Sequence, residues 1–177
     1  MTNLERLLSQ YAAYHLNSNN IVTHFIGIPL IVFSILCLTA RSGVDISGIA
    51  ITLAMVLIIL TSIYYLSLDK FFGALMLVLL VLAYPLALKI AALPLWNWLG
   101  TSVAIFVVGW AFQFVGHYFE KKKPASVDDL VGLAIGPLFV LAEFIFLLGF
   151  RKDLHQRILT EAQKQRAQMD HPSHTVS

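Results

Sequence analysis

Four long runs of mostly apolar residues constrain this chain more than any other feature of its sequence. They lie at residues 22–40, 48–67, 71–90 and 99–119. Each has about the twenty residues that an α-helix needs to cross the hydrocarbon core of a bilayer, at roughly 1.5 Å per residue. A helix also satisfies its own backbone hydrogen bonds, which lipid cannot do. The sequence therefore predicts four transmembrane helices.

The composition supports a lipid environment. Of the 177 residues, 58% are hydrophobic and 12% are charged, against roughly 45–50% and 25% in a soluble domain. A soluble protein of this size could not bury so much apolar surface. The net charge of +2 is small and scattered, which argues against nucleic acid as a partner. The single cysteine, Cys37, excludes an internal disulfide and a thiolate metal cluster.

Amphipathic helices are predicted at both ends of the chain, over residues 2–15 and 151–168. Thr2 and Glu5 are three residues apart and fit a capping box at the start of the first helix. The helical spacing places His15 on the apolar face, so its ring is expected to point into protein or into the membrane interface. The C-terminal helix is mainly polar and is expected to lie along the interface.

A fifth apolar run, at residues 130–150, does not fit a simple fifth crossing. A crossing would put Arg151 and Lys152 on the opposite side from the three lysines at 121–123, against the positive-inside rule. Two glycines and a proline offer a break in the helix, so a re-entrant or strongly kinked hairpin is favoured over a straight span. The residues of this expected break are Gly132, Gly136 and Pro137.

The predicted fold is therefore an all-α integral membrane protein. It has four transmembrane helices plus a re-entrant or kinked fifth apolar segment, flanked by N- and C-terminal amphipathic helices. We expect one membrane-embedded catalytic domain over residues 1–168 and a disordered tail over residues 169–177.

Polar residues crowd the start of the first apolar run, at residues 14–24. Burying each of these polar groups unpaired in hydrocarbon would cost roughly several kcal/mol. They therefore need partners, and a metal ion is one candidate. His15 and His24 are nine residues apart and would point about 180° apart on one unbroken helix. The asparagines between them favour a break in the helix. Such a break could bring both imidazoles to one point.

His117 is predicted to lie near the same place. His24 starts the first span and His117 ends the fourth, and an even number of crossings returns the chain to the same face. The lysines that follow mark that face as cytoplasmic. Glu120 is three residues after His117 and hence on the same helix face. Three imidazoles, with or without a carboxylate, suit Fe(II) or Zn(II).

Several alternatives stay open at this point. A histidine at a membrane interface can simply hydrogen-bond a carbonyl or a headgroup. Glu143, an ionisable group inside an apolar run, could be a ligand, a base or the partner of a ligand histidine, or a protonated carboxyl that bonds a neighbouring helix. The same polar cluster could serve a membrane transporter or a metal-binding scaffold. A two-iron hydroxylase needs more histidines than the six in this chain.

Two histidine blocks carry a family resemblance. They are Tyr14-His15, Asn20 and His24-Phe25-Ile26-Gly27-Ile28-Pro29 near the start, and Gln113-Phe114-Val115-Gly116-His117-Tyr118-Phe119-Glu120 with Lys123-Pro124-Ala125 later. In this order they resemble the membrane family of 2-hydroxy fatty acid dioxygenases. The resemblance implies an Fe(II)-dependent α-oxidation, in which a 2-hydroxy fatty acid and O₂ give an acid one carbon shorter. It also implies that His15, His24 and His117 bind the metal.

The remaining site residues are predicted from their place beside these histidines. Glu120 matches the family's acidic position, and either Glu120 or Glu143 is expected to act in catalysis by orienting a ligand or moving a proton. Four polar side chains are expected to bind the substrate: Tyr14, Asn19, Asn20 and Gln113. The protein is expected in a bacterial cytoplasmic membrane, or in the endoplasmic reticulum of a eukaryote, with its site facing the cytosol and its substrate drawn from the bilayer.

Overall fold

A computed structural model describes residues 1–121 and 131–170 of the chain. These residues are mostly helical, as expected, and they also form one small hairpin. In chain order the elements are α1 (Asn3–Ala12), α2 (Ser18–Thr39), β1 (Gly43–Ile46), β2 (Ile49–Thr52), α3 (Leu53–Leu68), α4 (Lys70–Ala91), α5 (Leu95–Glu120), α6 (Val131–Leu147) and α7 (Lys152–Asp170).

Among the described residues, α2, α4 and α5 are long and apolar enough to cross a membrane. They correspond to the first, third and fourth predicted spans. The apolar helices α3 and α6 are shorter, at 16 and 17 residues. Large apolar side chains are exposed along the long helices, for example Leu82 and Val107, which is typical of faces that meet lipid rather than water. The predicted helical fold is thus confirmed, and three of the four predicted spans are long and apolar enough to cross a membrane.

The hairpin between α2 and α3 was not predicted, since a plain polar turn was expected before a span beginning near residue 48. Instead β1 and β2 pair antiparallel, with Val44 opposite Ile51. Ser47 and Gly48 both have positive φ, at 53° and 82°, as a two-residue hairpin turn of the primed type requires. Thr52 then caps α3 by accepting a hydrogen bond from the Met55 amide at 3.2 Å.

The structure contains no re-entrant hairpin within residues 131–147, so that form of the prediction is wrong, while a kink in this helix stays a prediction. One continuous helix, α6, runs from Val131 to Leu147 through Pro137. A proline removes only one intrahelical hydrogen bond, and α2 and α4 likewise continue through Pro29 and Pro85. Most side chains between Ile135 and Phe146 are buried, so this helix packs inside protein.

The chain divides into two compact units, and the first consists of Met1–His24 and Phe114–Ser177. Here α1 packs against both α6 and α7. The Thr2 side chain and the Glu5 carboxylate form the predicted capping box. Apolar side chains of all three helices are buried, including Leu8, Leu138 and Ile158.

The C-terminal helix differs from its prediction. Its apolar face, with Leu154, Ile158 and Ala162, is buried, and the helix packs on α1 instead of presenting that face to the membrane interface. It also continues to Asp170, two residues into the tail that was predicted to be disordered. The rest of that tail lies outside the described residues, as do Lys122, Lys123 and Pro124, which were predicted to end the fourth span.

The second unit, Phe25–Gln113, contains the remaining parts of α2 and α5 together with the hairpin, α3 and α4. In this unit α2 and α5 approach closely at two glycines. A Cβ on Gly27 would lie 2.7 Å from the Gly109 carbonyl oxygen, and a Cβ on Gly109 would lie 2.9 Å from the Gly27 carbonyl oxygen. Small residues of this kind let the backbones of membrane helices pack tightly.

Candidate metal centre

Three buried histidines from separate parts of the sequence meet in the first unit. His15 lies between α1 and α2, His24 lies within α2, and His117 is near the end of α5. Their ring centroids are 4.5 to 5.1 Å apart, and one potential ligand atom from each lies within 4.8 Å of the others. The predicted break between His15 and His24 is present, since α1 ends at Ala12 and α2 begins at Ser18.

Backbone hydrogen bonds determine which nitrogen of two of these rings carries the proton. His15 Nδ1 is 2.6 Å from the Tyr11 carbonyl oxygen, and His24 Nδ1 is 2.8 Å from the Asn20 carbonyl oxygen. A carbonyl oxygen only accepts, so each Nδ1 must donate. In the neutral rings, each Nε2 is then left with an unshared lone pair. Such Nδ1–H to carbonyl bonds are typical of histidines that bind metals through Nε2.

The two Nε2 atoms face each other at 3.1 Å. Two lone pairs at this distance repel unless a proton or another cation lies between them. With metal–nitrogen bonds of about 2.1 Å, two adjacent ligand nitrogens lie roughly 3.0–3.4 Å apart. The arrangement is therefore one in which a single metal ion could be bound.

A proton is a poor substitute for the cation at His15. Burial holds the pKa of His15 well below its ordinary value of 6.5, and the neighbouring His24 and His117 lower the pKa further, against a smaller opposing effect of the Tyr11 carbonyl. The ring is therefore neutral at pH 7, which is the form that binds a metal.

Aromatic side chains hold the His15 ring in place. The Tyr11 ring stacks on it with a centroid distance of 4.2 Å and an interplanar angle of 4°. Phe139 of α6 packs against both rings, at 5.5 Å from His15 and 4.9 Å from Tyr11. One wall of the histidine cluster is therefore apolar and aromatic.

Gly116 allows α5 to come close to α2 beside the histidines. A Cβ at this position would overlap the Thr23 hydroxyl and the Asn20 side-chain oxygen, and would lie 3.1 Å from His24 Nδ1. The absence of a side chain at residue 116 thus lets the helix that carries His117 approach the helix that carries His24.

Glu120 is at the centre of a buried polar network next to the histidines. Its Oε2 accepts hydrogen bonds from the Asn17 amide at 2.8 Å and from Asn20 Nδ2 at 3.2 Å. Its Oε1 accepts from Arg166 Nη1 at 2.6 Å. Because the Asn20 carbonyl in turn accepts from His24, Asn20 connects the Glu120 carboxylate to the His24 ring.

The four predicted substrate-binding residues occupy different surroundings. Asn20 is fully buried within the network, whereas Asn19 is exposed and its backbone amide donates to Asn17 Oδ1 at 2.9 Å. Tyr14 is half-buried, and its carbonyl accepts from Asn20 Nδ2. Gln113 is buried in the second unit, directly against Gly27. Substrate binding by these residues stays a prediction.

Glu143 is buried on α6, with its Oε2 4.0 Å from His155 Nε2. The His155 ring stacks on Phe146 at 4.6 Å. Among the described residues, the group that could hold a metal consists of the three histidines, without Glu143 or Glu120.

Sequence reasoning missed Tyr11, Asn17, His155 and Arg166 as neighbours of these groups. Tyr11 and His15 are four residues apart and share a face of the predicted amphipathic helix, but that spacing did not specify the stacking of their rings. The sequence offers no signal that Arg166 reaches Glu120.

Comparison with known proteins identifies the family of this chain. The sequence profile of a family described as Mpo1-like, 2-hydroxy-palmitic acid dioxygenase, matches residues 1–148. The 2-hydroxy-palmitic acid dioxygenase MPO1 of Saccharomyces cerevisiae is 40% identical to the chain over 152 residues, which cover 85% of this chain and 84% of the yeast protein. No solved structure matches. The chain belongs to the Mpo1-like family.

Proposed function

We propose that this protein is a membrane dioxygenase that uses Fe(II) and O₂ to convert a 2-hydroxy fatty acid into a fatty acid one carbon shorter. The yeast relative is named for activity on 2-hydroxy-palmitic acid, and that activity is the basis for the substrate class. The observation that carries the metal requirement is the 3.1 Å separation of the opposed Nε2 atoms of His15 and His24.

The donor set fits a non-haem iron ion. His15, His24 and His117 would hold it, all three being buried and close together. When bound, Fe(II) supplies the activation of O₂ and open positions at which a 2-hydroxy carboxylate can chelate. The Tyr11 and Asn20 carbonyls orient the first two rings and make each Nε2 a better electron donor.

Glu120 is assigned an orienting role in this proposal. Both of its oxygens already accept hydrogen bonds, from Arg166 on one side and from Asn17 and Asn20 on the other. A carboxylate held in this way positions the segment that carries His24. It is poorly placed to take a proton from substrate or to bind metal without breaking those bonds.

Glu143 is the carboxylate to which we assign proton movement. It lies one helical turn after Phe139 and on the same face of α6, and Phe139 packs against the His15 ring. The Glu143 carboxylate also lies near the His155 ring, which can accept or return a proton. An ionisable group in such an apolar helix is by default functional.

The substrate would reach the site from the bilayer. Large apolar side chains flank His117 on the exposed surface of α5, among them Phe114, Tyr118 and Phe119. These would face acyl chains while the 2-hydroxy carboxylate headgroup reaches the histidine cluster. The same proposal includes four crossings of the bilayer, by α2, α3, α4 and α5, and a site at the cytosolic boundary. It places the protein in a bacterial cytoplasmic membrane or in the endoplasmic reticulum.

Oxygen uptake by the purified, Fe(II)-loaded protein tests the function. Adding 2-hydroxyhexadecanoate should consume O₂ and yield pentadecanoate, with the lost carbon leaving as CO₂ and the remaining oxygen as water. Hexadecanoate, which lacks the hydroxyl for chelation, should cause neither oxygen uptake nor product formation. Metal analysis of the same preparation should find about one ion per chain. A protein that binds the ion but consumes no oxygen with any 2-hydroxy acid would be a carrier or scaffold, and the proposal would be wrong.

A further inference from the structure

The C-terminal helix α7 lies beyond the residues that match the family profile, which ends at residue 148. It nevertheless packs on α1, the helix that leads into His15. One of its side chains, Arg166, extends into the interior of the first unit. That side chain is 18% exposed, and the Glu120 side chain that it contacts is 2% exposed.

All three guanidinium nitrogens of Arg166 have partners. Nη1 donates to Glu120 Oε1 at 2.6 Å and to the Ala13 carbonyl at 3.1 Å. Nη2 donates to the Glu120 carbonyl at 3.3 Å, and Nε donates to Asp170 at 3.2 Å. A planar fork of donors suits such a set of oxygens better than the single ammonium of lysine.

These contacts join the two segments that carry the histidines. Ala13 is two residues before His15, and Glu120 is three residues after His117. Beyond Glu120 the network continues through Asn20 to the His24 ring. The guanidinium also neutralises a carboxylate that would be costly to bury alone.

We propose that Arg166 is a positioning residue of the histidine site, through which the C-terminal helix holds the three imidazoles at the separation that a metal requires. This inference rests on the proposed metal function. Arg166 acts through Glu120 and Ala13 and does not touch the metal or the substrate.

Arg157 provides a matched control on the same helix. Its Nε donates to Glu5 Oε1 at 2.7 Å, and its side chain is 60% exposed. This ion pair also joins α7 to α1, but Glu5 lies near the start of α1, three turns before His15 by sequence. If an arginine of α7 matters only by attaching the helix, Arg157→Met and Arg166→Met should have similar effects.

The first experiment titrates Co(II) into the full-length, metal-free protein in detergent and follows its visible absorption, which reports ligand geometry. Arg166→Met should weaken Co(II) binding about tenfold or more and alter the spectrum. Arg157→Met should change neither, and Arg166→Lys should restore part of the affinity because it keeps the charge. An Arg166→Met protein with wild-type affinity and spectrum would overturn the inference.

The second experiment needs no metal and separates this inference from the proposed function. Amide hydrogen exchange of the metal-free protein should be faster over residues 13–24 in Arg166→Met than in the wild type, because the Asn17 amide donates to Glu120. Glu120→Gln should have a similar effect, and the double variant should add little to either. If wild-type protein binds no Co(II), the proposed function fails while this readout still decides the role of Arg166, and unchanged exchange would refute it.

Discussion

The Nε2 atoms of His15 and His24 lie 3.1 Å apart, with each Nδ1 committed to a backbone carbonyl. The carbonyls fix the tautomer, so the two unshared lone pairs point into the same small space. Without a cation between them the two lone pairs repel each other, whereas a bound cation makes the arrangement favourable.

Replacing His24 by alanine should abolish metal binding. The variant removes one of the three proposed ligands and the partner of the His15 Nε2, so we expect affinity for Co(II) to fall about a hundredfold or more and oxygen uptake to fall to background. Metal content after gel filtration is the measurement. His155→Ala, which removes a histidine outside the cluster, should retain its metal, and retention of the ion by the His24 variant would contradict the site.

Tyr11 should contribute to metal binding through its ring and not through its hydroxyl. The ring stacks on His15 at 4.2 Å, so Tyr11→Phe should bind Co(II) as the wild type does. Tyr11→Leu leaves the imidazole without a flat support and should weaken binding about tenfold. Equal affinities for the Leu and Phe variants would show that the stack has no role.

An alanine at Gly116 should destabilise the first unit. The new Cβ would overlap Thr23 and Asn20, and a forced separation of well-packed helices costs about 1–3 kcal/mol. Gly100→Ala on the same helix is the control, because its Cβ meets nothing within 4 Å. That variant should be neutral or stabilising by up to about 1 kcal/mol. Denaturant unfolding in detergent compares the two, and equal stabilities would rule out the close approach.

The Glu5 carboxylate should make stability depend on acidity. Its pKa in the folded protein is lowered from the ordinary value of 4.5 by the Thr2 amide and then by Arg157. A lowered folded-state pKa means that the contribution is complete above the unfolded pKa and is lost as the pH falls through the folded pKa. The free energy of unfolding of the wild type should therefore exceed that of Glu5→Gln at pH 6, and the difference should shrink below pH 4.5. A difference independent of pH would contradict this assignment.

Removing the metal should lower the unfolding temperature. A ligand that binds only the folded state stabilises it by about 2.7 kcal/mol at a hundred times its Kd. Thermal unfolding with Fe(II) and then with excess chelator measures the change, which should reverse on adding metal again. The His24→Ala protein should show no such change, and a chelator effect of equal size in that variant would place the ion elsewhere.

The helices and the meeting of the histidines could be predicted from the sequence. Apolar runs of about twenty residues set the positions of α2, α4 and α5, because helix length and bilayer thickness are linked. The asparagines after His15 correctly indicated a break, and counting the spans placed His117 near His24. These features depend on local composition and on the number of predicted crossings, both of which can be read from a sequence.

Other features depend on tertiary contacts. The turn at Ser47-Gly48 lies between alternating apolar residues, a local hairpin signal that the long apolar run obscured. Pro137 was expected to break the chain, but α6 continues past it because side chains on both sides of this helix are buried and stabilise it. The contact of Arg166 with Glu120 joins residues 46 apart in the chain, and no periodicity specifies such a pair.

The position of Arg166 has a practical consequence for anyone who shortens this protein. A version that stops where the family profile stops would keep His15, His24 and His117 and the described helices of membrane length. It would also leave the buried Glu120 carboxylate, whose side chain is 2% exposed, without its counter-ion beside the imidazoles. Domain limits taken from shared sequence would therefore exclude a side chain on which the charge balance of this interior depends.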